Sequence, residues 1–424
     1  MKKTFLISFL LFLIAACDDE GDKAFGNNAW IKQWGTGSED TVLASAVDSE
    51  GNVFVSGYTS YPPSQKLNDA FLIKWDSEGK QKWIKQWMLD ENGSVESIGF
   101  DSKGNFYTVG SISNNETIPC DSDGLCVDIV FTKWSSDGTK IWTKYYGTGD
   151  WDYPNSMVVD KSDNIFMTGE TKGGLNGNEN AGREDIFLMK LDTDGSVIWT
   201  KQLGTEGYEY GTSVVVDDAG NIYVSGIGNN SLNGGQTKGE ADLFVIKWNS
   251  EGEIVWTVQW GTDSDDRSES MAIDSDGNLY ITGVTYRGLD GNTSAGEYDV
   301  FITKLDSNGV KKWTKQWGTK NDEWGYSVTI DSSGSIFVTG TTQGSLDGET
   351  LVQWSDIFLS KFRPDGTFLW TKQWGSEEND AGYSIVTDLM DNIILMGTVS
   401  GSLEGNEYAG DKDIFVMKWN AGDL

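Results

Sequence analysis

Acidic and aromatic residues dominate the composition of this chain of 424 residues. It contains 65 Asp or Glu against 32 Lys or Arg, and its formal net charge is -33. Such a surface repels phosphate backbones and anionic lipid headgroups, which argues against nucleic acid as a partner. The 19 Trp, 15 Tyr and 18 Phe supply a packed core, so the acidity does not indicate disorder. The absence of His excludes Ser-His-Asp catalysis and imidazole metal ligands.

The first residues have the layout of an export signal. Lys2 and Lys3 precede the apolar run 5–16, which is too short to span a bilayer. The sequence Ile-Ala-Ala-Cys that ends at Cys17 resembles a bacterial lipobox. We therefore expect a lipoprotein signal peptide at 1–16, lipidation of Cys17, and a short acidic tether at 17–28. An ordinary signal peptide with an incidental Cys is the alternative.

One phrase, clearest as WTKQWGT from Trp313, recurs along the rest of the chain. Its copies begin at Trp30, Trp83, Trp142, Trp199, Trp256, Trp313 and Trp370. Four of the six intervals are 57 residues, and the other two are 53 and 59. A fixed period of this length indicates a repeat architecture.

Each period contains four runs that are typical of strands. In one copy these runs are 212–216, 221–225, 243–248 and 253–260, and short Gly, Asp and Asn turns separate the first pair and the last pair. Successive apolar residues in the third run indicate a strand buried on both faces. Four-stranded antiparallel sheets of this kind pack radially as the blades of a propeller.

The two ends of the chain favour a closed ring. After the tether, residues 29–34 form a lone fourth strand, whereas the last period, 381–419, stops where its fourth strand is due. The N-terminal strand can therefore complete the last blade and remove an exposed edge. The sequence predicts an all-β fold, a closed seven-bladed propeller spanning residues 29–424.

Three segments carry a resemblance to a known family. The strand-turn pattern Asp-x-x-Gly-Asn-Ile-Tyr-Val-Ser-Gly, the strand Asp-Ile-Phe-Leu-x-Lys and the Trp phrase resemble the bacterial β-propeller repeat (SBBP) family over roughly 29–419. The resemblance implies a secreted or envelope-attached propeller without a general biochemical activity. The first two blades depart from the pattern in their long loops, 59–68 and 111–127.

Six carboxylates are the main candidate site. Each follows the Trp phrase at a fixed distance, in the loop before an innermost strand; they are Asp40, Asp152, Glu209, Asp266, Glu323 and Asp380. Such loops lie on one face of a propeller, so we expect a broken ring near the central opening. Oxygen ligands of this type bind Ca²⁺. The alternative is that they solvate the loops or accept backbone hydrogen bonds.

Other recurring residues favour structural roles. Cys120 and Cys126 predict a disulfide that pins a loop in an oxidising compartment. Five Leu-(Asn/Asp/Glu)-Gly motifs, first at 175–177, predict packed turns. An Asp at the start of each third strand, such as Asp185, is expected to accept loop N–H groups. Small Ser residues on the innermost strands are interpreted as packing positions rather than nucleophiles.

The sequence thus predicts a non-enzymatic binding or scaffold module, lipid-anchored in the bacterial cell envelope. Its acidic loop face would meet a protein, glycan or cation partner, and the module would be a monomer that touches the membrane only through its lipid. The alternative is a propeller enzyme, either a quinoprotein-like dehydrogenase or a glycan-cleaving protein that uses paired carboxylates.

Overall fold

The computed structural model describes residues 30–60, 68–88, 93–113, 118, 120, 126–232, 234 and 237–420. The predicted signal peptide, Cys17 and the tether lie outside these residues. The described chain forms seven four-stranded antiparallel sheets, and each sheet is one blade. This confirms the predicted all-β, seven-bladed propeller. No helix in the described part is long and apolar enough to cross a bilayer.

The 28 strands fall into four positions, from the axis outward. The innermost strands are β2 Glu39–Val47, β6 Ser97–Phe100, β10 Asp152–Val159, β14 Glu209–Val216, β18 Asp266–Ile273, β22 Glu323–Ile330 and β26 Asp380–Thr387. The second strands are β3 Val53–Ser60, β7 Phe106–Ser113, β11 Ile165–Thr171, β15 Ile222–Gly228, β19 Leu279–Thr285, β23 Ile336–Thr342 and β27 Ile393–Val399. The third strands are β4 Asn68–Trp75, β8 Val127–Trp134, β12 Asp185–Leu191, β16 Asp242–Trp248, β20 Asp299–Leu305, β24 Asp356–Phe362 and β28 Asp413–Trp419. The outermost strands are β5 Gln81–Met88, β9 Lys140–Tyr146, β13 Val197–Leu203, β17 Ile254–Trp260, β21 Lys311–Trp317, β25 Phe368–Trp374 and, for the last blade, β1 Trp30–Trp34.

Blades are numbered 1 to 7 by their innermost strands in chain order. The second and third strands are the most buried, since six of the seven residues of β20 are buried although neighbours in a strand point to opposite faces. Side chains from adjacent blades share each core cluster; one such cluster joins Tyr107 and Phe131 of blade 2 to Phe187 and Met189 of blade 3. The predicted burial on both faces is confirmed.

The ring is closed by the first strand. β1 pairs with β28 in the order β1-β28-β27-β26, as predicted. Gln33 of β1 donates its amide to Asp413 at 2.9 Å and accepts the Leu403 N–H at 3.1 Å. In blade 3, Gln202 makes the same two bonds to its own Asp and Leu. The first strand therefore supplies the side-chain contacts of an outermost strand as well as its backbone pairing.

Because the strands are antiparallel, two kinds of loop share one face of the ring. These are the loops between second and third strands and the connections from each blade to the next. Parallel bridges such as Glu184 to Tyr208 and Ala241 to Asp265 join them side by side. We call this side the loop face. Each innermost strand lies beside the next, and β26 lies beside β2, so the seven surround a central channel that opens on this face.

Candidate functional site at the channel mouth

The six predicted carboxylates lie at the starts of the innermost strands, but they do not form an open ring. All six side chains are buried: Asp40, Asp152, Glu209, Asp266, Glu323 and Asp380. Asp40 accepts the Thr36 N–H at 2.6 Å, the Thr36 hydroxyl at 3.0 Å and the Thr59 hydroxyl at 2.5 Å. Each carboxylate thus organises its own connection between blades, as the structural alternative proposed.

The Gly-Thr end of the Trp phrase supplies hydrogen-bond donors and space for these carboxylates. The Thr, or Ser376 in one copy, donates its N–H and hydroxyl to the acid four residues later. The Gly leaves room for oxygen atoms: a Cβ on Gly318 would lie 2.3 Å from Asp299 Oδ1 and 2.6 Å from Glu323 Oε2. The phrase is therefore needed at the blade junction, where two acidic side chains approach one backbone.

No shared cation centre emerges from these residues. Within the described ranges, no group of three or more acidic or thiol side chains is arranged to hold a metal ion. Burial raises the pKa of all six carboxyl groups, and that of Asp380 reaches about 6. Each of the six carboxylates is buried inside its own junction, so the described residues show no common Ca²⁺ site among these six, and the Ca²⁺ expectation stays a prediction.

The Asp that begins each third strand also acts at the junction. Asp299 accepts the Ala295 N–H at 2.7 Å and the Gln316 amide at 2.8 Å. Equivalent loop amides donate to the four acids Asp185, Asp242, Asp356 and Asp413. The prediction that these acids accept loop N–H groups is confirmed for blades 3 to 7.

The remaining recurring residues are structural. Cys120 and Cys126 are joined by a disulfide, with their Cα atoms 5.3 Å apart. The Leu-x-Gly motifs form turns in which Asn176 and Asp290 adopt φ of 52° and 53°, and Leu289 is fully buried beneath its turn. The predicted packed turns are confirmed in the four motifs whose residues are all described, and the fifth, at 232–234, includes a residue outside the described ranges.

The Ser residues on the innermost strands connect neighbouring blades. The hydroxyl of Ser156 accepts the Val214 N–H at 3.2 Å, and that of Ser327 accepts the Ile385 N–H at 3.2 Å. A small side chain with an acceptor atom fits this crowded position. The interpretation of these residues as packing positions, rather than nucleophiles, is consistent with these bonds.

A one-residue bulge places a different kind of side chain at the channel mouth. In six blades the pairing of first and second strands skips one residue, for example between Gly325 and Ser327. The second strand has Gly opposite the bulge, since a Cβ on Gly340 would lie 1.7 Å from the carbonyl oxygen of Trp324. The bulge residues, with their equivalent in blade 2, are Leu43, Glu96, Asn155, Thr212, Glu269, Tyr326 and Tyr383. All seven are partly exposed, whereas the residue before each is buried, so these side chains face the channel.

Aromatic rings form a continuous arc along the mouth in blades 5 to 7. Ring centroids are separated by 5.1 Å between Tyr286 and Tyr298, and by 5.2 Å between Tyr298 and Trp324. The series continues through Tyr326 to Tyr383, with separations of 6.5 and 5.0 Å. All five rings are partly exposed. We call these residues the aromatic arc.

Charged groups and a cavity adjoin the arc in blades 4 and 5. A cavity of about 350 Å³ is lined by Tyr208, Tyr210, Thr212, Arg267 and Glu269. The Arg267 guanidinium bonds to Asp265 at 2.8 and 2.9 Å, and Tyr208 stacks on Tyr210 with centroids 5.1 Å apart. The mouth therefore combines flat apolar surfaces with hydrogen-bonding groups on several blades.

Three carboxyl groups of the channel have raised pKa values. Burial raises the pKa of Glu269 to about 7, although Arg267 opposes the shift. Burial raises the pKa of Glu96 to about 7. Burial and the charges of Glu184 and Glu96 raise the pKa of Glu170 to about 8, against a hydrogen bond from Asn155. Near neutral pH these acids are partly protonated, and their protonated forms can donate hydrogen bonds.

Sequence reasoning missed this site because it followed residues that recur. The bulge position instead changes from blade to blade within the innermost strand, as Leu, Glu, Asn, Thr, Glu, Tyr and Tyr. Packing positions must repeat when the blades repeat, so a variable position on the innermost strand is the available signal for a binding surface.

Comparisons with known proteins agree with the architecture. Four segments, 141–176, 198–233, 255–289 and 312–347, match the family model described as a beta-propeller repeat, SBBP. The regulatory protein FlaEY of Caulobacter vibrioides is 25% identical over 333 residues, which are 70% of this chain and 34% of that protein. An uncharacterized WD repeat-containing protein of Acanthamoeba polyphaga mimivirus is 20% identical over 428 residues, 75% of this chain and 30% of that protein. The chain spans about a third of the length of these curated relatives.

Solved structures with the same architecture include a polysaccharide lyase of family PL25, an ulvan lyase bound to a GlcA(1-4)Rha3S saccharide. Its TM-score is 0.51 at 12% identity, covering 91% of this chain and 95% of that one. At this identity the likeness shows the fold alone. The blade count, the ring closure and the four matched segments lead to one conclusion: the chain is a seven-bladed β-propeller that contains SBBP beta-propeller repeats in four matched segments.

Proposed function

We propose that the channel mouth binds a glycan, and that the protein is a binding module rather than an enzyme. The aromatic arc is the observation that carries the proposal. Five partly exposed rings follow one another at 5.0 to 6.5 Å on the rim of a channel. Fully buried rings such as Phe301 and Tyr280 offer no surface to a ligand, whereas these five rings keep exposed surface at the mouth. Exposed rings present flat apolar surfaces against which sugar rings stack.

The polar groups beside the arc suit a neutral sugar. With its pKa raised to about 7, Glu269 is partly protonated near neutral pH and can donate to or accept from a hydroxyl, while Asp265 holds the Arg267 guanidinium in place. An anionic polysaccharide would meet a chain with a net charge of -33. Uncharged hydroxyls avoid that repulsion and use donors and acceptors alike.

Affinity electrophoresis tests this function. Mature protein is run through native gels that contain a neutral β-glucan, a neutral galactomannan or anionic alginate. Retardation by a neutral polysaccharide is expected, and Trp324→Ala should abolish it by removing the centre of the arc. Phe368→Ala is the matched control, because Phe368 is an exposed ring on the outermost strand of blade 6. Unretarded migration in every neutral gel, or equal loss in both variants, contradicts the proposal.

A glycan-cleaving enzyme is the second candidate, and the raised pKa values favour it. Glu170 and Glu269 have pKa values of about 8 and 7, which suit a general acid. The ulvan lyase with this fold acts on a polysaccharide, although the likeness carries no residue across. Release of reducing ends from a retained polysaccharide, lost in Glu269→Gln, would establish cleavage. Retention without release supports the binding module.

The cellular location belongs to the same proposal. A glycan-binding propeller held at the cell envelope through Cys17 would meet cell-wall or extracellular polysaccharides. Metabolic labelling with a palmitate analogue tests the anchor: the native chain should be labelled, and Cys17→Ser should be unlabelled. A labelled Cys17→Ser chain, or an unlabelled native one, contradicts lipid anchoring.

A further inference from the structure

A second cavity, separate from the channel mouth, lies between blades 1 and 2. Its volume is about 530 Å³. One wall is the outermost strand of blade 1, including Lys85 and Trp87, and the other is the face of blade 2, including Thr108, Val130 and Tyr145. Gln86 and Lys140, which also line the cavity, are exposed and leave it open to solvent. We call it the interblade cleft.

The other six blades show why the cleft exists. The second residue after the Asp of the third strand faces the preceding blade and is a fully buried Phe in six blades: Phe71, Phe187, Phe244, Phe301, Phe358 and Phe415. In blade 2 this residue is Val130. The neighbouring second-strand position is Val, Met, Ile or Leu in the same six blades, and it is Thr108 in blade 2. Two smaller or more polar residues thus replace the side chains that fill the other junctions.

A third replacement adds a ring to the cleft. The Gln of the Trp phrase, which accepts a loop N–H in blades 3 to 7, is Tyr145 in blade 2. Trp87 lies 5.3 Å from Trp134 between ring centroids, and Trp134 donates to the Thr108 hydroxyl at 3.0 Å. The cleft is therefore bordered by three aromatic rings, Trp87 of blade 1 with Trp134 and Tyr145 of blade 2, and by several hydroxyl groups around an open volume.

The charge of the cleft is opposite to that of the protein. Lys85 and Lys140 are the charged side chains among the described residues that line it, and no carboxylate is among them. In a chain with 65 acidic residues, a cavity with cationic groups alone attracts an anion from solution. The rings and the two ammonium groups select an amphipathic ligand with one acidic group.

We propose that the interblade cleft binds a small organic anion that consists of a flat or cyclic apolar body and one carboxylate, sulfate or sulfonate group. The apolar body occupies the space that a Phe fills in the other six blades, between Trp87 and Tyr145. The anionic group lies toward Lys85. This site is independent of the glycan site, because it lies within one junction on the sides of the blades.

The test uses 8-anilinonaphthalene-1-sulfonate, an aromatic sulfonate whose fluorescence rises in apolar surroundings. The native protein should show one saturable site, and Val130→Phe should weaken its affinity at least about tenfold by restoring the ring of the sister blades. The neutral analogue N-phenyl-1-naphthylamine should lose affinity in Val130→Phe as well. Lys85→Gln should weaken the sulfonate by about fivefold and leave the neutral analogue unchanged, since only the charge differs.

Controls separate folding from binding. Val130→Phe should melt at a temperature equal to or above that of the native protein, because it fills a cavity. If that variant does not fold, Thr108→Leu, which places the residue of blade 7 in blade 2, serves instead. Trp324→Ala should leave the sulfonate site intact, so failure of the glycan proposal is distinguishable. Undiminished sulfonate binding in a folded Val130→Phe protein, or no saturable site in the native one, overturns the proposal.

Discussion

Blade 2 and the five blades that follow it share strand order and register, yet they treat their junctions differently. In blades 3 to 7 the Asp of the third strand accepts a loop N–H, and in four of them also a Gln amide. Neither oxygen of Asp128 in blade 2 has a hydrogen-bond partner in the described structure. The position before β6 that would hold the inner-strand carboxylate is Gly93. Blade 2 therefore keeps the strand order and register of the other blades without these side-chain hydrogen bonds, at a junction that also contains a cavity.

Removing the Asp from a regular junction should have the largest effect. Asp299→Ala leaves the Ala295 N–H and the Gln316 amide without their acceptor, and we expect a loss of about 3 kcal/mol in the free energy of unfolding. Asp128→Ala should cause no loss, because no donor is stranded and a buried acidic group is removed. Urea denaturation followed by Trp fluorescence measures both. Equal losses of unfolding free energy in the two variants would contradict the proposed difference between the two junctions.

Exchanging the packing residues should have the next largest effect. Phe187→Val copies the pattern of blade 2 into blade 3 and should cost about 2 kcal/mol, through lost burial and a new cavity. The reverse change, Val130→Phe, should cost nothing. Equilibrium unfolding midpoints compare the pair. A stabilising Phe187→Val change would show that blade 3 is not packed as described.

The contribution of Asp128 to the pH dependence of stability should have the opposite sign to that of a carboxylate whose pKa is lowered by folding. Burial and the nearby Asp152 raise the pKa of Asp128 to about 7, from a usual value of 3.8. The folded chain then holds a proton that the unfolded chain releases, so this contribution to stability is present below about pH 4 and is lost as the pH rises to 7.

Two variants isolate that contribution. Asp128→Asn should flatten the pH dependence between pH 4 and 7, and Tyr145→Gln should reduce it by supplying the amide donor found in other blades. Both are measured as melting temperatures across that interval. Curves parallel to that of the native protein would show that Asp128 titrates as an exposed acid does.

Repeating residues made the architecture predictable. The Trp phrase, the Asp at each strand end and the lone first strand predict the blade number and the closure, because packing imposes the same residue at the same place in every blade. The burial of Glu323 and its relatives was less accessible, since a fixed spacing does not reveal whether a carboxylate points to solvent or to its own loop. Thr319, four residues before Glu323, is the signal that would have indicated that Glu323 accepts hydrogen bonds from its own loop.

The channel mouth and the interblade cleft were not predicted for a related reason. Tyr326 and Glu269 occupy one position in successive blades without resembling each other, so a search for shared residues passes over them. Val130 is an ordinary strand residue when it is considered alone. Its significance is seen only by comparison with the Phe at the same position in the other six blades. In a repeat protein, candidate ligand sites are found at residues that differ from the repeat. These residues can be identified only after the strands of all blades have been aligned.

The pairing of Trp30 with Lys418 has a consequence for how the molecule is made. β1 is synthesised before the other strands of the ring and stays without its partner until β28, the last of them, has been synthesised. Blades 1 to 6 contain their own strands and can form in turn, whereas blade 7 needs a contact between the first and the last strand of the ring, and contacts between such distant segments form slowly. Until then the row of amide and carbonyl groups along β28 stays open to a neighbouring chain, so the last step of folding is also the one most exposed to aggregation.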